Sequence, residues 1–120
     1  MNIQITGKNL EVTQAIRDYI DKKIGSLEKF YSNIIETRVE IEKNTHHQKG
    51  YVFVVLVNLK VPNQLIRATD TQIDLYAAID IVKEEVERQL LAHKGKYEAK
   101  KRKEKKTRRD LKSILFFWKN

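Results

Sequence analysis

The sequence predicts an α+β domain with the element order β-α-β-β-β-α, in which a four-stranded sheet carries both helices on one face. Three observations lead to this fold. Two segments have apolar residues at helical spacing, four segments alternate or are rich in β-branched residues, and turn signals separate the last three strands. The 120 residues suffice for one hydrophobic core and not for two.

The first strand and the first helix lie in the N-terminal third. Residues 2–6 alternate, with Ile3 and Ile5 on one side, as in a half-buried strand. Thr13 is placed to cap a helix whose apolar residues recur at three- and four-residue steps. Those residues are Ala15, Ile16, Tyr19, Ile20, Ile24, Leu27 and Phe30 or Tyr31. We therefore expect one helix from Thr13 to about residue 30.

Three strands follow this helix. Residues 35–42 alternate between apolar and charged side chains, which indicates a strand with one wet face. A polar loop is expected over residues 44–50. Residues 51–61 are apolar at both odd and even positions, so both faces of that strand should be covered. Pro62 and Asn63 predict a turn, and residues 65–69 predict a short fourth strand.

The second helix begins at Asp74, which can cap it, and its apolar residues Leu75, Ile79, Val82, Val86 and Leu90 step by three or four. With both helices on one sheet face, the other face is expected to be partly bare. Since the third strand is apolar on both sides, we expect a second copy, a partner or the chain's own tail to cover that face.

The positive charge is concentrated at the C-terminal end. Residues 1–93 contain 12 Lys and Arg against 13 Asp and Glu, whereas residues 94–120 contain 12 against 3, which together give the net charge of +8. We therefore expect a folded domain over residues 1–98 and a basic tail over residues 99–120. Such a tail is typical of a protein that binds a polyanion, and nucleic acid is favoured over a solvated tail or an anionic membrane surface.

The tail ends in an apolar segment. Leu111, Ile114, Leu115 and Trp118 have the spacing of a short amphipathic helix, preceded by Thr107 and Asp110 in a pattern that resembles a capping box. Three roles are open for it: self-docking or self-association, contact with a protein partner, or a membrane-surface anchor.

The sequence offers no catalytic, metal or cofactor site. Cysteine is absent, the histidines His46, His47 and His93 lack ligand spacing, and the four glycines are scattered, so a nucleotide-binding loop is not expected. The acids of the second helix are interpreted as surface ion pairs, Lys83 with Glu87 and Glu84 with Arg88. We expect no enzyme, no small-molecule substrate and no membrane span. Without a secretory signal at the N-terminus, a cytoplasmic location is expected.

A binding function remains, and RNA is its predicted partner. Basic residues of the two helices can form a stripe that suits structured RNA, with Tyr97 as a stacking residue. The candidate RNA-binding residues, including the start of the tail, are Arg17, Lys22, Lys23, Lys29, Arg88, His93, Lys94, Lys96, Lys100, Lys101, Arg102 and Lys103.

Three segments resemble a known family. They are residues 3–13 (Ile-Gln-Ile-Thr-Gly-Lys-Asn with Glu11-Val12-Thr13), residues 16–29, and above all Asp74-Leu75-Tyr76-Ala77-Ala78-Ile79-Asp80 running on to His93-Lys94. Over residues 1–98 the chain is similar to the ribosome hibernation promoting factor and ribosome-associated inhibitor family. The resemblance implies a fold similar to double-stranded-RNA-binding domains. It also implies binding to the small ribosomal subunit and its RNA in the channel of messenger and transfer RNA, with inhibition of translation in stress or stationary phase.

The resemblance also singles out residues. Arg17, Lys23, Lys29, Arg88 and Lys94 match positions where the family carries basic residues, whereas Glu85 stands where relatives often have Lys. Long members continue into a second domain that pairs ribosomes, and this chain, which stops at Asn120, resembles a short form or a long form that has lost its second domain. We therefore expect it to inactivate ribosomes without pairing them unaided. A general structured-RNA-binding module or RNA chaperone is the alternative, and regulation through a sigma factor finds no support in the residues.

Overall fold

The computed structural model describes residues 1–47 and 50–95, and the elements follow the predicted order. The strands are β1 (Ile3–Lys8), β2 (Glu36–His47), β3 (Gly50–Val61) and β4 (Gln64–Gln72), the first helix is α1 (Gln14–Gly25), and a 3₁₀ helix (Ser26–Lys29) follows it. The last helix, α2, covers residues 75–95. The chain divides into two compact units, Met1–Leu90 and Leu91–Asn120. Within the second unit the structure describes residues 91–95, which are helical.

The four strands form one mixed sheet in the order β1-β2-β3-β4. β1 is parallel to β2, while β2, β3 and β4 pair antiparallel. A parallel pair needs a crossover connection, and α1 with the 3₁₀ helix supplies it. The structure confirms the helical crossover and the hairpin array expected from the sequence.

The hydrophobic core lies between the two helices and one face of the sheet. α1 contributes Ile16, Ile20 and Ile24 to it, and α2 contributes Leu75, Ala78, Ile79, Val82, Val86 and Leu90. Alternate strand residues meet them, among them Val39, Ile41, Val57 and Leu59. Full burial of an aliphatic side chain of this size contributes about 1.5–3 kcal/mol. Both helices therefore pack on one sheet face, as predicted.

The first helix begins where expected and ends earlier. The Thr13 hydroxyl accepts a 3.3 Å hydrogen bond from the Ile16 amide, which is the predicted N-cap. The prediction of one continuous helix to about residue 30 is wrong over its last turn, which is a 3₁₀ helix. The Phe30 amide donates to the Leu27 carbonyl at 3.0 Å, the backbone i→i+3 bond that tightens the chain at a helix end. At the junction with α1, the Ser26 side-chain hydroxyl donates to the Lys23 carbonyl at 2.7 Å.

The hairpin between β2 and β3 is longer than predicted. The loop expected over residues 44–50 is wrong for residues 44–47, which belong to β2, and for Gly50, which begins β3. The pairing shifts register between Asn44 and His47, which is a β-bulge or a similar irregularity. Polar side chains are compatible with this extension because backbone groups form the ladder and a bulge absorbs the irregular residue.

The remaining turn and cap agree with the sequence. Pro62 and Asn63 connect β3 to β4, and Asn63 has a φ of 65°, in the left-handed region that asparagine tolerates. β4 extends beyond the predicted residues 65–69, to Gln72. The Asp74 carboxylate accepts a 3.1 Å hydrogen bond from the Tyr76 amide, so Asp74 caps α2 as predicted.

The outer sheet face, which we define as the face of β1–β4 opposite the helices, is partly apolar. Val54 and Leu56 of β3 are half-buried there and help to line a depression of about 420 Å³. Its rim includes Lys8, Glu40 and Arg67. The charged side chains on this rim thus flank the apolar residues of β3, and cover of this face by a second copy, a partner or the chain's own tail stays a prediction.

Candidate nucleic-acid interface

α1 and the 3₁₀ helix present three unpaired cations. Arg17, Lys22 and Lys29 are exposed, because the opposite side of these helices is buried in the core. None of the three forms an ion pair with another residue in the described ranges. An unpaired cation on a helix surface keeps its full charge and its donors for an external phosphate. These side chains are therefore the strongest candidates of the helix layer for contacts with RNA.

A tyrosine and an aspartate join the two helices beside these cations. The Tyr19 hydroxyl donates a 2.6 Å hydrogen bond to Oδ1 of Asp80. The ring of Tyr19 also meets that of Tyr76 edge to face, with the centroids 4.8 Å apart. The hydrogen bond to Asp80 is the main reason that the pKa of Tyr19 is raised from 10.0 to about 12, with partial burial and the negative charge of Asp80 adding to it. Tyr19 is therefore neutral and fixed in orientation at neutral pH.

Lys23 lies over this pair. Its Nζ is 3.8 Å from Oδ1 of Asp80 and 5.6 Å from the ring centroid of Tyr19. A cation at this distance from an aromatic face is attracted to the ring as well as to the carboxylate. Lys23 is thus held in place at the junction of the helices, and a phosphate would have to share it with Asp80.

The cations of α2 before residue 91 are both paired within the helix. Lys83 meets Glu87 at 2.7 Å, which confirms the predicted pair. Arg88 meets Glu85 at 2.6 Å through Nη2, and its Nε donates to the same carboxylate at 3.1 Å. The predicted pairing of Arg88 with Glu84 is therefore replaced by an i, i+3 pair. Arg88 holds the pKa of Glu85 below its usual range, with Gln89 adding to the effect, and Glu85 raises the pKa of Arg88.

The first part of α2 is acidic overall. Residues 74–90 carry five acids, Asp74, Asp80, Glu84, Glu85 and Glu87, against the two paired cations. Lys23 reaches Asp80, and Arg88 lies eight residues later on the helix. Eight residues correspond to about 12 Å along the axis and about 80° around it. Lys23 and Arg88 are thus separated along α2 by the turn that carries Glu84, and the basic stripe across both helices stays a prediction.

The remaining candidates lie beyond the first compact unit. His93 and Lys94 are half-buried residues of α2 within residues 91–95. Lys96, Lys100, Lys101, Arg102, Lys103 and Tyr97 lie outside the described residues, as do the predicted terminal helix and the boundary between residues 98 and 99. Their roles stay predictions.

The Tyr19–Asp80 contact is not evident from the sequence. Helical spacing predicts a core position for Tyr19, and the charge pattern of α2 predicts that Asp80 is one of several surface acids. The available signal was Tyr76 and Asp80 at i, i+4 on α2, a spacing that places an aromatic ring and a carboxylate on one side of the helix. Spacing alone cannot identify the partner, because Tyr19 lies 61 residues away in the chain.

Other kinds of site find no support in the described part of the chain. Over residues 1–47 and 50–95, no three His, Asp or Glu side chains come together as metal ligands would. No helix in those ranges is both long and apolar enough to cross a membrane.

Known proteins match this chain in sequence. A model of the family described as "Sigma 54 modulation protein / S30EA ribosomal protein" matches residues 3–98. A protein of Lactococcus lactis subsp. cremoris, named ribosome hibernation promotion factor, is 36% identical over 102 residues, which are 85% of this chain and 54% of that protein. A protein of the same name from Staphylococcus aureus is 33% identical over 102 residues, 85% of this chain and 53% of that protein. The chain thus spans about half the length of these relatives.

Solved structures match the fold. A ribosomal subunit interface protein from Coxiella burnetii superposes with a TM-score of 0.70 at 25% identity, over 79% of this chain and 99% of that chain. The N-terminal domain of Protein Y from Thermus thermophilus superposes with a TM-score of 0.64 at 32% identity, over 75% of this chain and 96% of that chain.

Proposed function

This chain belongs to the Sigma 54 modulation protein / S30EA ribosomal protein family, and from this we propose that it is a ribosome hibernation factor. It binds the small ribosomal subunit in the channel of messenger and transfer RNA and inhibits translation under stress or in stationary phase, in the cytoplasm. The observation that carries the proposal is the family match over residues 3–98, supported by two relatives named ribosome hibernation promotion factor. Occupation of the channel would block translation without any catalytic step.

Ribosomal RNA is the proposed contact, through the helix layer and the basic tail. The family resemblance implies a fold similar to that of double-stranded-RNA-binding domains, which read phosphates and 2′-hydroxyls by shape. Within the helix layer, the exposed cations Arg17, Lys22 and Lys29 are free to meet phosphates, whereas Lys23 and Arg88 are shared with carboxylates. We therefore assign the main helix contacts to α1 and the 3₁₀ helix.

Co-sedimentation with small ribosomal subunits in a salt series, alongside in vitro translation, tests the function. We expect saturable binding at about one copy per subunit, weakened by salt and matched by loss of translation. Absence of saturable binding at low salt would contradict the proposal. Equal affinity for any structured RNA in a competition assay would instead favour the general RNA-binding module.

The helix contacts are tested by a charge-matched pair of variants. The double substitution Lys22→Gln and Lys29→Gln removes two unpaired cations, and each should lower the salt slope of binding by about 1. The control, Lys8→Gln with Lys83→Gln, removes two cations that are paired with Glu42 and Glu87. If both doubles lower the slope equally, α1 is not the contact surface and only net charge matters.

The tail is tested in the same assay. Replacement of Lys100, Lys101, Arg102 and Lys103 by Gln should weaken binding and lower the salt slope by several units, because each phosphate contact releases counterions. An unchanged salt slope of binding would show that the tail is not part of the RNA interface.

A further inference from the structure

The outer sheet face is divided in charge along its strands. The half that contains the end of β3 carries three cations, Arg38, Lys60 and Arg67, with the single acid Glu36. The other half carries Lys8 with Glu40 and Glu42. We call the first of these the positive half. Its excess of cations contrasts with the acidic surface of α2 on the opposite side of the first unit.

Strand register places the donors of the positive half side by side. Arg38 of β2 lies opposite Asn58 of β3, which lies opposite Arg67 of β4. In the next row, Lys60 lies between Glu36 and Leu65. Because neighbouring strands are about 4.8 Å apart, the Cα atoms of the two arginines are separated by about 10 Å, with the Asn58 amide between them. A depression of about 260 Å³ lies here, lined by Glu36, Arg38, Asn58, Lys60 and Leu65.

Several hydrogen-bond donors of this cluster have no acceptor in the described part of the chain. Arg38 donates from Nε to Glu36 at 2.8 Å. Lys60 and the Arg67 guanidinium are exposed and form no ion pair with any residue in the described ranges. The Asn58 side-chain oxygen is buried and meets no donor there, although two arginines flank it. Neither guanidinium group donates to this amide oxygen, and the Arg67 side chain helps to line the neighbouring depression with Val54 and Leu56.

We propose that the positive half of the outer sheet face is a second phosphate-binding surface, which holds the backbone of an RNA strand through Lys60 and Arg67, with Arg38 and Asn58 beside them. An arginine presents a planar fork of donors that matches the oxygens of a phosphodiester, and a lysine adds a point charge. Leu65 is the one apolar side chain of the depression, so its chemistry fits an anionic strand better than an apolar protein surface.

This surface is additional to the helix contacts. Its assignment depends on the proposed function, in which RNA is the partner. With cations on α1 and on the opposite sheet face, the first unit would lie between two segments of RNA. Phosphate contacts on both sides would orient it as well as attract it, because they fix position without reading sequence.

Salt-dependent binding of labelled oligouridylate and, separately, of small ribosomal subunits tests the proposal. The double variant Lys60→Gln with Arg67→Gln is compared with the double variant Lys8→Gln with Lys83→Gln. The second double variant removes the same amount of charge, but from two lysines that form ion pairs. We expect the salt slope to fall by about 2 and affinity to fall about tenfold for the first double alone, with both variants unfolding at the wild-type temperature. Equal slopes for the two doubles on oligouridylate, or no binding of that probe, overturn the proposal. A different outcome overturns the proposed function instead. In that outcome, the wild-type chain does not bind small ribosomal subunits, but the two double variants still differ in salt slope on oligouridylate.

Acetylation of lysines with an N-hydroxysuccinimide ester, followed by mass spectrometry, locates the contact. Saturating small subunits should protect Lys60 several-fold and leave Lys8 as reactive as in the free protein. An unprotected Lys60 overturns the proposal. If Lys60 is protected but the double variant Lys60→Gln with Arg67→Gln keeps the wild-type salt slope, the surface contacts a protein rather than RNA. That result also overturns the proposal.

Discussion

The Tyr19 hydroxyl of α1 and the Asp80 carboxylate of α2 share a 2.6 Å hydrogen bond that ties the two helices across their outer edge. It is supplemented by the edge-to-face contact of Tyr19 with Tyr76 and by the ammonium group of Lys23. A carboxylate placed among candidate RNA-binding cations is unfavourable for a phosphate nearby. Its use as a link between helices gives a structural reason for its presence.

The first prediction concerns the ionisation of Tyr19. Its pKa in the folded protein, about 12, is above its ordinary value of 10.0, so the link contributes fully to stability below pH 10. That contribution is lost as the pH rises from about 10 to about 12. A spectrophotometric titration should show one tyrosine that ionises near pH 12.

The Tyr19→Phe variant completes this test. It should remove the late-titrating tyrosine and lower the free energy of unfolding by about 1 kcal/mol at pH 7, the usual contribution of one hydrogen bond. Tyr76→Phe is the control, since it keeps both the ring contact and the Tyr19 hydroxyl. A late-titrating tyrosine that persists in Tyr19→Phe would contradict the assignment.

The second prediction concerns the ion pair of Arg88 with Glu85. Glu85→Gln should free the Arg88 guanidinium for a phosphate, and so raise RNA affinity and the salt slope of binding. Glu84→Gln changes the net charge by the same amount on the same helix without releasing Arg88. Fluorescence titrations across a salt series distinguish them, and equal gains for the two variants would show that Arg88 is not a contact.

The third prediction concerns Thr37. Its side chain is 0% exposed in β2, and its hydroxyl has no hydrogen-bond partner in the described part of the chain. Burial of an unpaired hydroxyl is costly, so Thr37→Val should raise the free energy of unfolding by about 1 kcal/mol. Thr69→Val on the exposed side of β4 should change it by less than about 0.5 kcal/mol. Denaturant unfolding measures both, and destabilisation by Thr37→Val would imply a hidden partner for the hydroxyl.

The fourth prediction compares two glycines. A Cβ atom at Gly7 would lie 2.8 Å from the Leu10 carbonyl oxygen and 2.8 Å from Cγ2 of Val12, whereas nothing lies within 4 Å of one at Gly25. Gly7→Ala should therefore destabilise the fold by about 1–3 kcal/mol, because a backbone atom must shift. Gly25→Ala at the end of α1 should be neutral or stabilise by up to about 1 kcal/mol. Thermal unfolding decides, and similar midpoints for the two variants would contradict the crowding at Gly7.

The order of the elements and most of the core could be predicted from the sequence. Ile20, Ile24, Ile79 and Val86 follow helical spacing, and the alternation in β2 marks its buried side, so periodicity alone identifies them. The ends of elements could not be predicted so well. Residues 44–47 are polar and read as a loop, yet they join the hairpin because strand pairing uses backbone groups that the side-chain pattern does not report.

The candidate interface was predictable only in part. The sequence identifies which residues are basic, but the partners that neutralise them depend on the fold. Arg88 forms an ion pair with Glu85, and Lys23 forms one with Asp80. Lys60 and Arg67, which no sequence pattern indicates, form no ion pair with a carboxylate in the described part of the chain. The second case depends on strand register, which brings together residues from β2, β3 and β4.

A hydrogen bond from α2 to the edge strand β4 has a bearing on aggregation. β4 is an outer strand of the sheet, and the amide of Gln89 on α2 donates to the Arg67 carbonyl at 3.0 Å. An outer strand with vacant carbonyl groups invites a strand from another molecule to add to the sheet. With one of these groups already occupied by a side chain of α2, a neighbouring molecule cannot form an unbroken ladder along β4. This bond therefore disfavours edge-to-edge aggregation through β4 at the position of Arg67.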